Sequence, residues 1–401
     1  MIDKKIAGII CEYNPFHNGH AFQIAEIKRR GYDTVVAIMS GNTVQRGEFA
    51  ILDKYTRART ALCGGADLVL ELPYPYSASS TEFFATAGVR ILSAVGADAI
   101  CFGSETGDAE KLYSAARVCL SAEFEATYRD LCVSSLGTAS AYFEAYRRIT
   151  GEDMPSGSND ILGVAYLRAI ISEGTRLEAE VIRRRGSAYR DENISAESAG
   201  VYPSALMIRN EMSKNGVVDK LKDFMPAGSF DAFRKGRVSR ADELLERSVL
   251  SFFRLASPLE LSSLRVSEAG GGLAEKLCKV SHKAHSLKEM KEMAMTGKYT
   301  LARVSRAVLH CMTGADESDV RRNPAYTTVL GFNSRGKELL GWLRKNSLIP
   351  IVTKPADAPM LGEDAARQYA LSCKADALFT LCFDPPLDSS EYVTASPVIE
   401  K

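Results

Sequence analysis

No sign of charge predominates in this chain: 50 Lys and Arg stand against 50 Asp and Glu in 401 residues. That balance excludes a protein basic throughout, as a non-specific nucleic-acid coat would be, and leaves only local patches to be sought. Paired cysteines are missing as well. The nine cysteines, at 11, 63, 101, 119, 132, 278, 311, 373 and 382, are odd in number and never form a Cys-x-x-Cys pair, so neither a disulfide framework nor a thiolate zinc site is expected, and a reducing compartment is. The first apolar run, Ile6 to Cys11, meets Glu12 after six residues, too short for a signal segment or a membrane span. A cytoplasmic protein with no membrane partner is the expectation. Internal repeats and low-complexity segments are absent too, and the 46% hydrophobic, 25% charged composition is that of an ordinary globular protein with two or three domains.

Within the first hundred residues short β-branched runs alternate with amphipathic stretches. Ile6–Cys11, Thr34–Ser40, Asp67–Leu72 and Asp98–Phe102 read as strands; Gly19–Arg30, Asp53–Gly64 and Ser80–Gly96 read as the crossover helices that parallel strands require. Val35-Val36-Ala37-Ile38-Met39 is apolar on both faces, which fits a sheet covered by helices on each side. The fold class predicted is therefore α/β, a Rossmann-like doubly wound parallel sheet with its ligand crevice at the carboxyl ends of the strands. Helical patterns over Ala109–Tyr146 and Asn159–Ser172, then a strand at Leu177–Ile182 and an arginine-rich stretch Arg183–Arg190, carry this first domain to about residue 215. From 216 to 401 helices dominate, at Ala241–Leu255, Ala274–Ala284 and Tyr299–Met312, with a flexible Gly270-Gly271-Gly272 joint. Ile349–Thr353, Ala365–Leu371 and Ala377–Cys382 suggest a small appended α/β layer in the tail.

Charge is uneven along the chain. Residues 276–310 hold eight Lys and Arg against two Glu, a net +6, with His282, His285 and His310 added. Such a stretch is either a solvated helix face or a footprint for a phosphate backbone, and Tyr299 and Arg321-Arg322 add an aromatic and more cations.

Chemistry concentrates in Cys11-Glu12-Tyr13-Asn14-Pro15-Phe16-His17-Asn18-Gly19-His20, directly after the first strand and opening the first helix. There the helix offers free backbone N–H groups and the positive end of its dipole to an anion. His17 and His20 lie three residues apart, and Gly19 between them removes a side chain. Two imidazoles can then donate to one phosphoryl group, which suits attack at the α-phosphate of a nucleoside triphosphate as charge builds on the non-bridging oxygens. An isolated His-x-x-His is more often incidental or metal-binding. Here no Cys or carboxylate partner stands at zinc-ligand spacing, and the strand-loop-helix setting is where a nucleotide belongs.

The Asn14–His20 segment resembles the HxGH signature of the nucleotidyltransferase superfamily, which includes pantetheine-phosphate adenylyltransferases and is related to class I aminoacyl-tRNA synthetases. Further segments resemble the bacterial tRNA(Met) cytidine acetate ligases: Met39–Glu48, Asp53-Lys54, Glu71-Leu72-Pro73, Phe102–Glu105, Ser158–Leu162 and Gly297–Arg306. The resemblance implies an RNA-modifying ligase. ATP and acetate would give acetyl-adenylate and pyrophosphate, and the acetyl group would pass to the wobble cytidine of elongator tRNA(Met), giving N(4)-acetylcytidine. His17 and His20 would serve the adenylation transition state. Carried over residue by residue, the ATP cradle would comprise Ile9, Ile10, Cys11, Glu12, Tyr13, Asn14, Pro15, Phe16, His17, Asn18, Gly19 and His20, with Gly103, Asn159 and Arg184. Each of the last three has a structural alternative: a strand-end turn, a helix N-cap, an exposed loop arginine. Mg²⁺ would accompany the triphosphate, with no dedicated protein cage visible.

Ser40, Gln45, Arg46, Asp53 and Lys54 follow the second strand, again at the carboxyl edge, and are candidates for acetate or the target base, with Glu71 beside them. An ordinary surface loop is the alternative. The family's late Ser-x-Thr-x-Ile-Arg motif departs here, reading Ser204-Ala205-Leu206-Met207-Ile208-Arg209. The hydroxyl is lost at Leu206, while Ser204 and Arg209 remain able to hold the β- and γ-phosphates. Lys298, Arg303 and Arg306 are the tRNA-binding candidates. Two rival readings stand: a small-molecule nucleotidyltransferase acting on a phosphorylated metabolite, which leaves the carboxyl half unexplained, and a non-catalytic nucleotide sensor or RNA-binding protein, against which the intact His17 and His20 speak.

Overall fold

The structure, a computed structural model, describes residues 4–133, 137–184, 202–263 and 266–400. Its first half carries strands β1 (Ile6–Cys11), β2 (Thr34–Ser40), β3 (Thr43–Val44), β4 (Glu48–Phe49), β5 (Leu68–Leu72), β6 (Ala99–Ser104) and β7 (Glu178–Arg183). Between them run helices α1 (Asn18–Arg29), α2 (Lys54–Cys63), α3 (Thr81–Ala94), α4 (Ala109–Cys119), α5 (Ala122–Val133), α6 (Thr138–Thr150) and α7 (Ser158–Glu173). β5, β2, β1, β6 and β7 are parallel neighbours in that order, with the order reversing at β1. A crevice beyond the ends of β1 and its neighbours follows from that reversal.

Both faces of the sheet are covered, as its apolar strands require. Ile6, Ile10, Val36, Ile38, Leu68, Leu70 and Phe102 belong to one core with Phe84, Leu92, Val164 and Leu167 of α3 and α7. The alternate residues Ala7, Ile9, Val35, Ala37, Met39 and Val69 pack with Ile24, Ile27, Ala58 and Ala61 of α1 and α2. Each fully buried aliphatic side chain contributes about 1.5–3 kcal/mol relative to exposure, so this period-2 partition fixes which way each strand faces. Gly8 is where α3 comes closest, since a Cβ there would meet Leu92 Cδ2 at 2.2 Å.

Beyond residue 204 lie α8 (Ala205–Asn215), α9 (Ala227–Lys235), α10 (Ala241–Leu244), α11 (Glu246–Leu255), α12 (Pro258–Ser263), α13 (Leu273–Ser281), α14 (Leu287–Ala294), α15 (Leu301–Thr313) and α16 (Glu317–Arg321). Val249, Phe253, Leu277, Met290, Val304 and Val308 give α11 and α13 to α15 a core of their own, closed by Phe379 and Phe383. The chain then returns as β8 (Thr327–Phe332), α17 (Ser334–Asn346), β9 (Ile351–Val352), α18 (Glu363–Thr380), α19 (Ser389–Val393) and β10 (Val398–Ile399).

That return corrects two expectations. The tail has the expected α/β character, with β9 inside Ile349–Thr353, but among the described residues it is not a separate layer: Ala365–Leu371 and Ala377–Cys382 belong to or adjoin the single helix α18, and β8 pairs antiparallel with β5 while β9 and β10 pair with β8. A boundary at 215 therefore does not divide the core, because the carboxyl-terminal strands complete the sheet begun at residue 6. The Gly270–Gly272 segment is not a loose joint either. Tyr299 Oη donates to the Gly271 carbonyl and Arg303 donates to those of Glu268 and Gly270 at 3.2 Å each. No helix among the described residues is long and apolar enough to cross a membrane.

Candidate functional site

A cavity of about 440 Å³ opens at the carboxyl ends of β1, β6 and β7. Its floor is the turn from β1 into α1. His17 is the N-cap of α1, and its Nδ1 accepts the Gly19 N–H at 3.0 Å, while His20 Nδ1 accepts the His17 N–H at 3.3 Å. The rings stack with centroids 3.7 Å apart. A Cβ on Gly19 would come within 2.9 Å of the His17 ring, so glycine is what lets the ring fold back over the helix start. Because each Nδ1 accepts, each neutral ring carries its proton on Nε2. Burial lowers the His17 pKa to about 3, with the Arg184 charge adding to the effect, and holds His20 well below its ordinary value. Two neutral N–H donors thus stand at a helix N-terminus.

Part of that turn shapes the floor from behind rather than facing the cavity. Phe16 is buried against Gly64, where a Cβ would meet the ring at 2.2 Å. Asn14 Oδ1 accepts the Ile51 N–H at 2.9 Å, and Asn18 Nδ2 donates to the Asp223 carbonyl at 2.9 Å. Ile9, Ile10, Cys11, Glu12, Tyr13, Asn14, His17, Gly19 and His20 line the cavity; Pro15, Phe16 and Asn18 do not. Those three, expected in the cradle, hold its shape from behind.

Gly103 on β6, Asn159 on α7 and Arg184 after β7 form the opposite wall. A Cβ at Gly103 would lie 3.2 Å from Arg184 Cγ, so the glycine makes room for the arginine stem as well as for a ligand. Asn159 is not the N-cap of α7, which is Gly157. Its amide donates to Glu105 Oε1 at 2.7 Å, and the same carboxylate accepts the Asp160 N–H at 2.9 Å. Glu105, quoted in the sequence motif but given no role, is the group that satisfies this helix start. Arg183 also lines the wall, whereas residues 185–190 of the arginine-rich stretch lie outside the described residues.

The third wall is a hairpin the sequence patterns did not reveal. β3 and β4 pair with Val44 opposite Glu48, leaving Gln45, Arg46 and Gly47 as a three-residue loop with Gly47 at φ +76°, the position such loops reserve for glycine. Gln45 and Arg46 line the cavity. Glu12 fastens the hairpin by accepting the Gln45 N–H at 2.8 Å, and burial raises the Glu12 carboxyl pKa. α8 completes the enclosure: Ser204 N-caps it, accepting the Met207 N–H at 3.2 Å, and Arg209 Nη1 donates to the Asn14 carbonyl at 2.6 Å. Leu206 faces the cavity with them.

Four expected substrate residues stand outside it. Ser40 is fully buried at the end of β2, and Asp53 N-caps α2 through the Tyr55 and Thr56 N–H groups, both at 2.9 Å. Lys54 Nζ lies 2.9 Å from Glu71 and 2.7 Å from Asp376, all three buried. Burial opposes the Lys54 charge, but the two carboxylates outweigh it and hold its pKa well above the ordinary value. These residues brace the fold beneath the hairpin. The RNA candidates divide likewise: Lys298 is exposed, Arg303 is committed to backbone carbonyls, and Arg306 is buried, 3.0 Å from Glu268 and 3.3 Å from the Gln45 carbonyl. Arg306 is thus a brace for the hairpin and not a surface contact.

Sequence patterns also missed Arg57. It is wholly buried, and it donates to the carbonyls of Leu52 at 3.0 Å, Glu12 at 2.6 Å, Ser40 at 3.1 Å and Gly41, joining the ends of β1 and β2. An arginine in an amphipathic stretch carries no sign that it points inward.

The model of the HIGH nucleotidyl transferase family matches residues 4–392. A tRNA(Met) cytidine acetate ligase of Acetivibrio thermocellus is 35% identical over 95% of this chain and 96% of its own, and one of Caldanaerobacter subterraneus subsp. tengcongensis is 33% identical over 94% and 95%. Among solved structures, apo TmcAL of Thermotoga maritima has a TM-score of 0.89 at 27% identity, covering 98% of this chain and 99% of that one. The same protein bound with alpha-thio ATP gives 0.87 at 26% identity, with the same coverage.

Proposed function

This chain belongs to the HIGH nucleotidyltransferase family and, within it, to the tRNA(Met) cytidine acetate ligases, and from that premise we propose that it joins acetate to a tRNA cytidine at the expense of ATP. In the first step an acetate oxygen attacks the α-phosphorus of ATP, an O–P bond forms, the bond to the β-phosphate breaks, and acetyl-adenylate and pyrophosphate result. In the second the exocyclic amine of the wobble cytidine of elongator tRNA(Met) displaces AMP from the acetyl carbon, giving N(4)-acetylcytidine.

The observation that carries this reading is the pair of neutral imidazoles, each with its proton on Nε2, at the amino end of α1. Donors fixed in advance stabilise charge on the α-phosphate oxygens as it develops, at no cost of reorganisation. Arg184 and Arg209 bring cations to opposite sides of the cavity, and Arg209 sits on α8 where the triphosphate tail would extend. Mg²⁺ fits as a companion of the triphosphate rather than a resident ion: Glu12 and Glu48 are the carboxylates in the lining, and no cluster of three metal-binding side chains occurs among the described residues. When bound it neutralises charge on the departing pyrophosphate.

For the RNA, support comes from the corner between α13 and α14, where Lys279, His282, Lys283, His285 and Lys288 are all exposed. A phosphate backbone pairs with such a face without reference to sequence.

The deciding experiment is transfer of labelled acetate into acid-precipitable tRNA by the purified protein, with ATP present or omitted and acetyl-CoA as rival donor. ATP-dependent label from free acetate is expected. Label from acetyl-CoA alone, or pyrophosphate release stimulated by a phosphorylated metabolite and not by acetate, would overturn the proposal.

A further inference from the structure

We propose that Glu12 is the general base of the acyl-transfer step, receiving the proton of the cytidine amine as that amine attacks the acetyl carbonyl. This rests on the reaction proposed above. An exocyclic amine on a pyrimidine has its lone pair drawn into the ring and is hardly basic; its N–H becomes acidic only as the new bond forms, so a group placed to take that proton lowers the barrier. In the step itself, the C–N bond forms, the bond between acetyl carbon and AMP oxygen breaks, the electron pair leaves on the phosphate, and the proton moves from N4 to the Glu12 carboxylate.

The lining of the cavity leaves few candidates for this work. His17 and His20 are neutral, but each already uses its Nδ1 lone pair to accept a backbone N–H and carries a proton on Nε2. Neither has a site for another proton. Tyr13 and Tyr166 are buried and Cys11 is half-buried, and desolvation pushes all three groups up, away from the ionised form a base requires. Among the described residues two carboxylates remain in the lining, Glu12 and Glu48.

Position and surroundings separate these two. Glu48 is exposed on β4. Glu12 stands at the end of β1, between the histidine turn and the Gln45–Arg46 loop, and lines the same cavity as both. One of its oxygens accepts the Gln45 N–H at 2.8 Å; the other has no hydrogen-bond partner among the described residues. Burial raises its pKa and strengthens it as a base, while the Gln45 N–H and the charges of Arg209, Arg57 and Arg46 act in the opposite direction. A carboxylate oriented by one oxygen and open at the other is what proton abstraction needs.

The test compares two half-reactions in full-length protein: acetate-dependent exchange of pyrophosphate into ATP, and single-turnover transfer to tRNA from added acetyl-adenylate. Glu12→Gln keeps an oxygen for the Gln45 N–H and removes the base. Its ratio of transfer rate to exchange rate is expected to fall about 100-fold or more below that of the wild type. Glu12→Asp, which keeps a carboxylate, is expected to transfer at least about 10-fold faster than Glu12→Gln. An unchanged ratio in Glu12→Gln, equal transfer by the Asp and Gln variants, or a ratio lost instead in Glu48→Gln would each overturn the assignment. Absence of acetate-dependent exchange in the wild type would instead overturn the proposed reaction, so the two failures are distinguishable.

Discussion

An imidazole that spends Nδ1 on a backbone N–H has one polar atom left to offer, and in His17 and His20 that atom is a donor. Removing one such donor from the transition state costs about 100- to 1,000-fold in rate. His20→Ala is therefore expected to lower acetate-dependent pyrophosphate release by that factor while tRNA binding, followed by filter retention, is kept; undiminished release would remove His20 from the chemistry. The same burial has a consequence for stability. His17 has its pKa lowered to about 3 and His310, whose Nε2 lies 2.9 Å from the Ala78 carbonyl, to about 4, in each case chiefly by burial. In the unfolded chain both protonate near pH 6.5. Between that value and their folded values the unfolded state binds more protons, so stability is full above pH 6.5 and falls as pH drops toward 4. Urea midpoints measured from pH 7 to pH 4.5 are expected to decline, and to decline less in His310→Gln, which keeps a donor without a titrating ring. A slope identical in that variant would refute the attribution.

Among the elements, α2 ties the molecule together. Lys54 on its first turn meets Glu71 of β5 and Asp376 of α18, while Asp376 also accepts from Asn42 at 2.7 Å. Ionisable groups paired in a dry site are stable only as a set, since removing one partner strands the others. Lys54→Met is expected to cost about 3–5 kcal/mol in chemical denaturation, with the hairpin carrying Gln45 and Arg46 loosened as well. A loss below about 1 kcal/mol, the range of exposed pairs, would show that the carboxylates find other partners. No pattern in the sequence announces this set, because Lys54 and Asp376 lie 322 residues apart and meet only through the fold. Strands β1 and β2, by contrast, have the bounds read from their apolar runs, since burial on both faces leaves an uninterrupted signature.

Across the molecule, the cavity and the basic corner fall to different parts of one body. The strand ends hold the cavity, and the helices from α11 to α15 carry the basic corner. Changing Lys279, Lys283 and Lys288 together to Gln is expected to weaken tRNA binding and to reduce the slope of log affinity against log salt by about 2–3, roughly one unit for each phosphate left unneutralised. Adenylate formation, measured by pyrophosphate exchange, should stay as it was; an unchanged salt slope would move the RNA to another face. Arg306→Gln is a useful contrast, because the buried guanidinium braces the Gln45 carbonyl and its loss should affect melting before it affects RNA.

Local patterns along the chain were enough to establish the parallel strands and the turn that carries His17, Gly19 and His20, and the resemblance of its motif segments pointed to the family. The strands and the turn each leave a short-range mark: uninterrupted apolar runs, a strand passing directly into a helix, and glycine where a ring must fold back. Only the folded molecule settled that β8 to β10 return to the first sheet, that Lys54, Glu71 and Arg306 are braces rather than contacts, and that Glu12 ends with one oxygen bound and one open. Those outcomes arise where segments far apart in the chain meet. Whether a charged side chain faces water, a ligand or an opposite charge is set by what the fold brings against it.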